Sequence, residues 1–531
     1  MHQQTMEDLK LAVNPGALIL LAKVEHLLAG EGVQSYLVGG FVRDMLLGRD
    51  THDIDIVIAA NALQIAPKVA AALGGKYVLL DEINDIARVV LMNNVDPAKD
   101  KWELDFSTLK GDIEHDLAQR DFTIDAMAVD LGMFIPDLLP TPSSEASVTK
   151  SSERHEVALR PSTLIDPFQG WDDLRRGVIR AVDESVFESD AARLLRAIRL
   201  TAELGFSIDS ETELLIRQYC HLITGVAGER VREELLRILA VPGQPLAYLD
   251  ELGLLTAMIP ELIQTKGVEQ PVVHFWDVFD HSIQLVTAID FILRQGTWEY
   301  AGQEVLAPVP WSAALSQHFD QEVSNGSTRR SLLKLAALLH DIAKPQTKAI
   351  DEDGRARFIG HPGKGAVIAT GILERLRFSN REIKLVEAMV EHHLRPTQMS
   401  QVRLPSHRAI YRYFRDTGEA GIDILFLSLA DHLATRGPHL DPAQWQEHAK
   451  IVDYVLAKHS EKESLTVPPK LIDGHDLINI FHLNPGPEIG EFLEGVREAQ
   501  AAGEVVTRQE AMDYLKHLLP HSQETLLNKS P

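Results

Sequence analysis

Cysteine is almost absent from this sequence, since Cys220 is the only one among 531 residues. A lone cysteine excludes an intrachain disulfide and zinc sites built from several thiolates. Long apolar runs are also missing, because the longest, such as residues 17 to 22, fall short of the roughly 18 residues that a membrane span needs. The N-terminal segment MHQQTMEDLK lacks the basic region and apolar core of a secretory signal. These absences predict a cytoplasmic protein with no membrane partner and no disulfide-linked partner.

Positive charge is scarce as well. The chain has 52 Lys and Arg against 77 Asp and Glu, which gives a formal net charge of −25. This balance argues against nonspecific coating of nucleic acid, which depends on Lys and Arg. A hydrophobic content of 45% with 24% charged residues excludes a wholly disordered chain. The length predicts about three or four domains.

Strand-like and helix-like patterns are mixed before about residue 135, whereas apolar residues recur at helical spacing after residue 170. The predicted strands are residues 36–38, 54–58, 77–80, 88–92 and 102–106. The pattern predicts an α+β fold in which a mixed head precedes a long helical body. A segment rich in Ser, Thr, Pro and charge, residues 138–163, is typical of an insertion or linker.

A glycine turn precedes two paired carboxylates in the sequence YLVGGFVRDMLLGRDTHDIDIVI. Gly39 and Gly40 open a short helix, where backbone amides can approach a phosphate, and Arg43 adds a positive charge one turn later. Asp53 and Asp55 alternate with isoleucines in a strand, so both carboxylates share one face. Two adjacent carboxylates with a substrate phosphate are typical ligands of Mg²⁺.

A third carboxylate is expected on the strand WELDFS. Asp105 would complete a cradle for two metal ions, and Glu103, which has the same strand parity, is the competing candidate.

Six ordered motifs now point to one family. They are GGFVRD, DID, LAQRDFTIDAMAV, DPFQGWDDL, SDAARLLRAIRLTAELGF and GERVREELLRIL. Together they resemble the class II tRNA nucleotidyltransferase and bacterial poly(A) polymerase family. The resemblance implies a head like the DNA polymerase beta nucleotidyltransferase fold, followed by an all-α neck and body, an HD-type helical domain and a small helical tail. The predicted boundaries are head 1–137, insertion 138–163, neck and RNA-binding region 164–245, HD-type domain 246–459 and tail 460–531.

The neck contains residues suited to choosing a base. If residues 189–206 are helical, Asp190 and Arg193 lie on one face, and Arg196 and Arg199 continue the stripe. A carboxylate that accepts from an amino group, beside a guanidinium that donates to a ring nitrogen, selects C and A over U and G. The resemblance places base recognition on Asp190 and Arg193. It also places Arg196 and Arg199 near phosphates or primer.

The motif QRD contributes two more nucleotide-binding residues by resemblance, Arg120 and Asp121, with Arg120 on the triphosphate side. Three residues depart from the family pattern: Ser189 replaces the usual Glu, Gln119 replaces Arg, and Asp125 replaces Asn. Asp125 accepts a hydrogen bond from a ribose hydroxyl as Asn does, but it cannot donate one and it adds negative charge near the triphosphate.

The helical body carries an ordered series of histidines and aspartates that resembles the HD-domain phosphohydrolases. By resemblance, the metal ligands are His281, His340, Asp341 and Asp431, and His361 and His393 would extend the site to a second ion. His392 is the alternative to His393. The metal there is expected to be a divalent transition metal or Mg²⁺, and the substrate a phosphoester at an RNA end.

The sequence therefore predicts a Mg²⁺-dependent enzyme that transfers CMP or AMP from CTP or ATP to the 3′ end of tRNA or another RNA. Addition of CCA to tRNA is the preferred reaction, and an A-adding enzyme or poly(A) polymerase is the close alternative. An HD phosphohydrolase with a regulatory nucleotide-binding head is the alternative of another class.

Overall fold

The computed structural model describes residues 9–92, 101–138, 155–159, 163–271, 273–324, 326–399, 404–464 and 470–527. The chain divides into two compact units, Met1–Gly225 and Val226–Pro531. The division lies inside the segment predicted as the neck, and the finer domain boundaries stay predictions. Most of the predicted insertion, residues 139–154 and 160–162, lies outside the described residues.

The first unit has the predicted α+β composition. Its strands are β1 (Leu9–Val13), β2 (Ser35–Val38), β3 (Asp53–Ile58), β4 (Lys76–Asp81), β5 (Ile86–Met92), β6 (Lys101–Thr108), β7 (Ala128–Asp130), β8 (His155–Leu159), β9 (Leu164–Ile165), β10 (Val178–Ile179) and β11 (Ser207–Ile208). Its α-helices are α1 (Pro15–Gly30), α2 (Gly39–Leu46), α3 (Ala62–Leu73), α4 (Ile113–Ala118), α5 (Leu131–Leu138), α6 (Gly170–Arg176), α7 (Val186–Ser189), α8 (Arg193–Leu204) and α9 (Ser210–Tyr219). Two 3₁₀ helices are Thr123–Asp125 and Cys220–Gly225.

A seven-stranded sheet forms the centre of this unit, in the order β4-β5-β6-β3-β2-β7-β9. All five strands predicted from the sequence belong to it. The β3 and β6 strands run parallel, and the other neighbours are antiparallel. Ile54, Ile56 and Ile58 of β3 are buried on one face, and Asp53 and Asp55 lie on the other, where Asp53 is exposed and Asp55 is partly buried. The sheet thus presents the carboxylates of neighbouring strands side by side.

The second unit is almost entirely helical, as the apolar spacing predicted for this part of the chain. Its α-helices are α10 (Gly228–Ala240), α11 (Pro245–Glu251), α12 (Leu254–Met258), α13 (Val278–Ile292), α14 (Gln303–Leu306), α15 (Ala313–Asp320), α16 (Arg329–Leu339), α17 (Lys344–Thr347), α18 (His361–Arg375), α19 (Asn380–His392), α20 (Arg395–Met399), α21 (His407–Thr417), α22 (Gly421–Arg436), α23 (Pro442–Ser464), α24 (Gly474–Phe481), α25 (Pro487–Ala502) and α26 (Arg508–Leu527). Three 3₁₀ helices are Pro260–Thr265, Gly418–Ala420 and Gly437–His439. Two short hairpins are formed by β12 (Glu322–Ser324) with β13 (Ser327–Thr328), and by β14 (Lys348–Ile350) with β15 (Ala356–Phe358).

Three helices, α13, α16 and α22, are largely buried, and their buried residues include polar as well as apolar side chains. These polar side chains are therefore held in fixed positions inside the body. Among the residues that the structure describes, no helix is long and apolar enough to cross a lipid bilayer.

The last helices, α24 to α26, share an apolar core drawn, among the described residues, from positions 471 to 515. They contact α21 through ion pairs. Arg408 lies 2.7 Å from Glu504, and Arg412 lies 2.6 Å from Glu498. These pairs are partly exposed to solvent, so each contributes up to about 1 kcal/mol and is weakened by salt.

We therefore expect Arg412→Glu, which sets a like charge against Glu498, to loosen the attachment of α25. Amide hydrogen exchange in α25 should become about tenfold faster, because repulsion replaces attraction at this contact. The double variant Arg412→Glu, Glu498→Arg should restore part of the slow exchange, because Arg415, which donates to Glu498 at 2.8 Å, then faces a like charge. Arg377→Glu, at an exposed pair with Glu229, is the matched control. Equal exchange in all four proteins would contradict this account of the contact.

Candidate active site and candidate metal centre

The glycine turn after β2 is required by both backbone conformation and space. Gly39 has a φ of +66°, which disfavours residues with a Cβ atom. A Cβ on Gly39 would lie 2.7 Å from Nη1 of Arg120 and 2.9 Å from Oδ2 of Asp55. A Cβ on Gly40 would lie 3.4 Å from Nη2 of Arg43. The turn therefore packs directly against Arg120 and Asp55, which the sequence placed in one site.

Gly39→Ala should slow nucleotide incorporation by about a hundredfold, because the added methyl group displaces Arg120, Asp55 or both. Incorporation of a labelled nucleotide into RNA measures the effect. Gly74→Ala is the matched control, since Gly74 has a φ of +69° but open space where its Cβ would lie. Both variants should lose some thermal stability, but only Gly39→Ala should lose activity. A similar loss of activity in both would show that backbone strain alone is responsible.

The carboxylates of β3 and β6 lie in register. Asp55 is opposite Asp105, and Asp53 is opposite Glu103. Burial raises the pKa of Asp55 to about 6, and the nearby carboxylates of Asp53 and Asp105 add to the rise, although Arg120 opposes it. A group of like charges that raises the pKa of its central member suits the binding of a divalent cation, which would relieve this repulsion.

Arg88, on β5, was missed by the sequence analysis. Its Nε and Nη2 atoms donate to the two oxygens of Asp105 at 2.6 and 2.7 Å, and it also bonds Glu103. Its Nη2 lies 3.8 Å from Oδ1 of Asp53. The sequence did contain an indication of this role, because Arg88 is the one charged residue in the apolar strand IARVVLM.

Arg43 is paired with two carboxylates, and its predicted contact with a phosphate stays a prediction. It is buried, and its Nη1 donates to Oδ1 of Asp125 at 2.7 Å while its Nε donates to Asp44 at 3.0 Å. Burial alone would raise the pKa of Asp125, but Arg43 and Arg196 lower it. The carboxylate that replaces the family's Asn is therefore neutralised by two arginines, so its charge is balanced locally.

The start of the predicted helical stripe on the neck is corrected. The α8 helix begins at Arg193, and Asp190 precedes it in extended conformation, where Oδ1 accepts from the Ala192 amide at 3.1 Å. Asp190 and Arg193 therefore do not share one helix face. Arg199 is buried and lies 4.0 Å from Glu203, and its predicted position near a phosphate or primer stays a prediction.

Arg193 and Arg196, in the middle of the predicted stripe, contact the QRD motif. Arg193 donates from Nη2 to the Gln119 carbonyl at 2.8 Å and from Nη1 to Ser189 Oγ at 3.1 Å. Arg196 places Nε 2.8 Å from Oδ2 of Asp121. Ser189, one of the three departures from the family pattern, thus contacts Arg193 through its side chain, whereas Gln119 does so through its backbone.

The histidines and aspartates of the second unit meet around Asp341. Its Oδ2 lies 3.0 Å from Nε2 of His340 and 3.8 Å from Nε2 of His281. Its Oδ1 lies 3.3 Å from Nε2 of His361 and 3.9 Å from Nε2 of His393. Two groups of three potential ligands therefore share one carboxylate, and within each group the ligand atoms lie within 4.8 Å of one another.

Backbone carbonyls orient three of these imidazoles. Nδ1 of His340, His361 and His393 lies 2.7, 2.6 and 2.7 Å from the carbonyl oxygen three residues earlier. We assign a hydrogen to Nδ1 of each imidazole on this basis, so Nε2 is the ring nitrogen that faces Asp341. Burial and the neighbouring His340 lower the pKa of His393 to about 3, so this imidazole is neutral at physiological pH. The donor set fits two divalent ions.

The remaining members of the cluster have distinct positions. Asp431 is less buried and lies 3.1 Å from Nε2 of His281. His392 is 4.0 Å from Glu391, so the structure places His393 rather than its neighbour beside Asp341. Lys344, missed by the sequence analysis despite its i,i+3 spacing from Asp341, holds Nζ 2.6 Å from Oδ2. Burial raises the pKa of Asp341, but His340 and Lys344 outweigh it and hold the pKa well below its usual range.

Comparisons with known proteins find matches along most of the chain. The Poly A polymerase head domain matches residues 35–141, the probable RNA and SrmB-binding site of polymerase A matches residues 205–265, and the HD domain matches residues 311–436. The A-adding tRNA nucleotidyltransferase of Deinococcus radiodurans is 32% identical over 489 residues, which cover 90% of this chain and 94% of that protein. The CC-adding tRNA nucleotidyltransferase of Thermus thermophilus is 30% identical over 493 residues, 91% and 93% of the two chains.

Solved structures share the fold. A CCA-adding enzyme in complex with ATP has a TM-score of 0.60 at 22% identity, over 96% of this chain and 95% of that one. The Thermotoga maritima CCA-adding enzyme complexed with tRNA has a TM-score of 0.57 at 22% identity, over 96% and 97%. The resemblance inferred from the motifs is confirmed. By sequence identity over nearly its whole length, the chain belongs to the family of tRNA nucleotidyltransferases, with a poly(A) polymerase head domain and an HD domain.

Proposed function

We propose that this protein transfers CMP and AMP from CTP and ATP to the 3′ end of tRNA in the cytoplasm, building the terminal CCA. The main observation behind the proposal is that Asp55 lies opposite Asp105, and that Asp55 and Arg120 both pack against the Gly39 turn. The sequence relatives support tRNA as the substrate, because they are tRNA nucleotidyltransferases and the chain matches them over nearly their whole length.

In this reaction the 3′ oxygen of the RNA attacks the α-phosphorus, the bond to the β-phosphate oxygen breaks, and pyrophosphate leaves. Asp53 and Asp55 would hold Mg²⁺, with Asp105 as the third carboxylate. When bound, Mg²⁺ would lower the pKa of the attacking hydroxyl and would neutralise negative charge on the leaving pyrophosphate. Arg120 would bind the triphosphate, since its Nη1 lies against the glycine turn and close to Asp55.

Base choice would rest on Arg193 and Asp190. The Arg193 guanidinium bonds the Gln119 carbonyl, so it is held near Arg120 and the proposed triphosphate site. A guanidinium donor beside a carboxylate acceptor matches the ring nitrogen and amino group that C and A present. We propose that Asp190, immediately before α8, provides that acceptor.

Incubation with Mg²⁺ and tRNA that lacks CCA, or that ends in CC, tests the proposal. Labelled CTP and ATP are supplied separately and together. Addition of CC and then A supports the full reaction, whereas addition of A only to tRNA ending in CC supports an A-adding enzyme, as in the Deinococcus relative. Long A tails on unrelated RNA would indicate a poly(A) polymerase. No incorporation on any RNA would refute the proposal.

A second candidate function is favoured by the cluster around Asp341. Two groups of ligands that share a carboxylate suit metal-assisted hydrolysis of a phosphoester, and an RNA 2′,3′-cyclic phosphate is the proposed substrate. Hydrolysis without incorporation would favour a hydrolase whose head binds nucleotides for regulation. Hydrolysis with incorporation would support two activities in one chain.

A further inference from the structure

Arg88 lies inside the carboxylate group of the proposed active site. The antiparallel register of β5 and β6 sets Arg88 directly opposite Asp105. The guanidinium makes a bidentate pair with Asp105, bonds Glu103, and has Nη2 3.8 Å from Asp53. One cation therefore contacts carboxylates of two strands, β3 and β6, at the same time.

The charge of this group explains why a cation is needed. Asp53, Asp55, Glu103 and Asp105 lie side by side on two strands, where four negative charges repel one another. Arg88 neutralises part of this charge from the side of β5. A planar guanidinium with several donors in a fixed fork can hold two carboxylates at once, which lysine cannot do with the same geometry.

We propose that Arg88 is a positioning residue that serves as an internal counter-cation of this carboxylate group. It holds Asp105 and Glu103 in place, and it competes with divalent ions for their negative charge. This inference rests on the proposed function, because it concerns the same site, but its test does not depend on nucleotide transfer.

Loss of the Arg88 charge should change divalent-ion binding and the rate of nucleotide transfer in opposite directions. Without the Arg88 charge, the group should bind a divalent ion more tightly, because the remaining negative charge is larger. The carboxylate of Asp105 should be less well ordered, because it loses two hydrogen bonds. We therefore expect tighter ion binding together with a lower kcat, whereas a purely structural role for Arg88 would not tighten ion binding.

The test measures Mn²⁺ binding to the full chain by electron paramagnetic resonance, without nucleotide or RNA. Asp53→Ala serves to identify which part of the signal belongs to the first unit, since the cluster around Asp341 is expected to bind Mn²⁺ as well. Arg88→Met should bind Mn²⁺ at the first-unit site about tenfold more tightly than the unaltered protein. Arg88→Gln, a second neutral variant, should do the same if Arg88→Met does not fold.

Two further variants sharpen the result. Arg88→Lys keeps the charge but loses the bidentate pair, so its Mn²⁺ affinity should stay within about twofold while kcat falls. Arg175→Met removes an exposed arginine on α6 and should change neither property. Unchanged or weaker Mn²⁺ binding in the neutral Arg88 variants would overturn the inference. Tighter binding in a protein that incorporates no nucleotide would leave it standing while refuting the proposed function.

Discussion

Asp55→Asn is expected to slow the transfer of CMP or AMP to a tRNA 3′ end by about a thousandfold or more. The substitution keeps the size of the side chain and removes the negative charge at the centre of the carboxylate group. Asp55 lies opposite Asp105 and against the Gly39 turn, so no neighbouring group can take its place without moving. Initial rates of single-nucleotide incorporation at saturating substrate measure the effect.

The same variant should not be destabilised. The pKa of Asp55 is about 6 in the folded protein, above the usual value near 3.9 in an unfolded chain. Ionisation therefore costs stability as the pH rises from about 4 through 6, and Asp55→Asn lacks this cost. At pH 7.5 in EDTA, the variant should melt at the same or a higher temperature than the unaltered protein.

The control for both measurements is Asp172→Asn, which removes an exposed carboxylate from α6. It should keep both the activity and the melting curve of the unaltered protein. If Asp55→Asn kept more than a tenth of the original rate, this result would contradict the assignment of Asp55 to the active site. A variant that is inactive but melts much lower would contradict the electrostatic explanation.

Asp341→Asn is expected to abolish hydrolysis of an RNA 2′,3′-cyclic phosphate, with a loss of about a thousandfold or more, while nucleotide incorporation is retained. Asp341 is the one side chain that both groups of ligands share, so its loss removes an anionic ligand from each. Binding of Mn²⁺ or Co²⁺ in the second unit should be lost as well. Parallel assays of hydrolysis and incorporation on the same preparation measure both effects.

Two neighbouring histidines provide a matched pair for this prediction. His393→Gln should weaken metal binding and slow hydrolysis by about tenfold to a hundredfold, because Nε2 of His393 faces Asp341 and His361. His392→Gln should leave both unchanged, because His392 lies beside Glu391 instead. Equal effects of the two substitutions would contradict the assignment of His393. A protein with no hydrolysis before any substitution would refute the second function.

Local patterns in the sequence predicted much of this protein. The alternation of aspartate and isoleucine in DID identified β3 and the face that carries Asp53 and Asp55, because alternation is a property of the strand itself. The order of the motifs identified the family. Helical spacing identified the body, but it failed near Asp190, because this residue lies in extended conformation before α8 and its carboxylate accepts from the Ala192 amide.

Contacts between distant segments could not be predicted from the sequence. Glu103 and Asp105 have the same strand parity, and only the register of β6 against β3 and β5 shows which residues each one faces. The burial of Arg43 against Asp125 depends on a pairing 82 positions apart. A sequence shows that an arginine is charged, whereas the fold decides whether a phosphate or a carboxylate receives that charge.

By itself, the sequence determined the family, the α+β head with its helical body, and the residue types that carry each proposed reaction, because these follow from short-range spacing and ordered motifs. Tertiary structure alone decided that Arg88 bridges the carboxylates, that Arg199 is buried, and that His393 rather than His392 faces Asp341. The physical reason is that successive side chains on a helix point about 100° apart, and strand neighbours are set by register. Which of them meets a given partner is fixed only when the elements pack together.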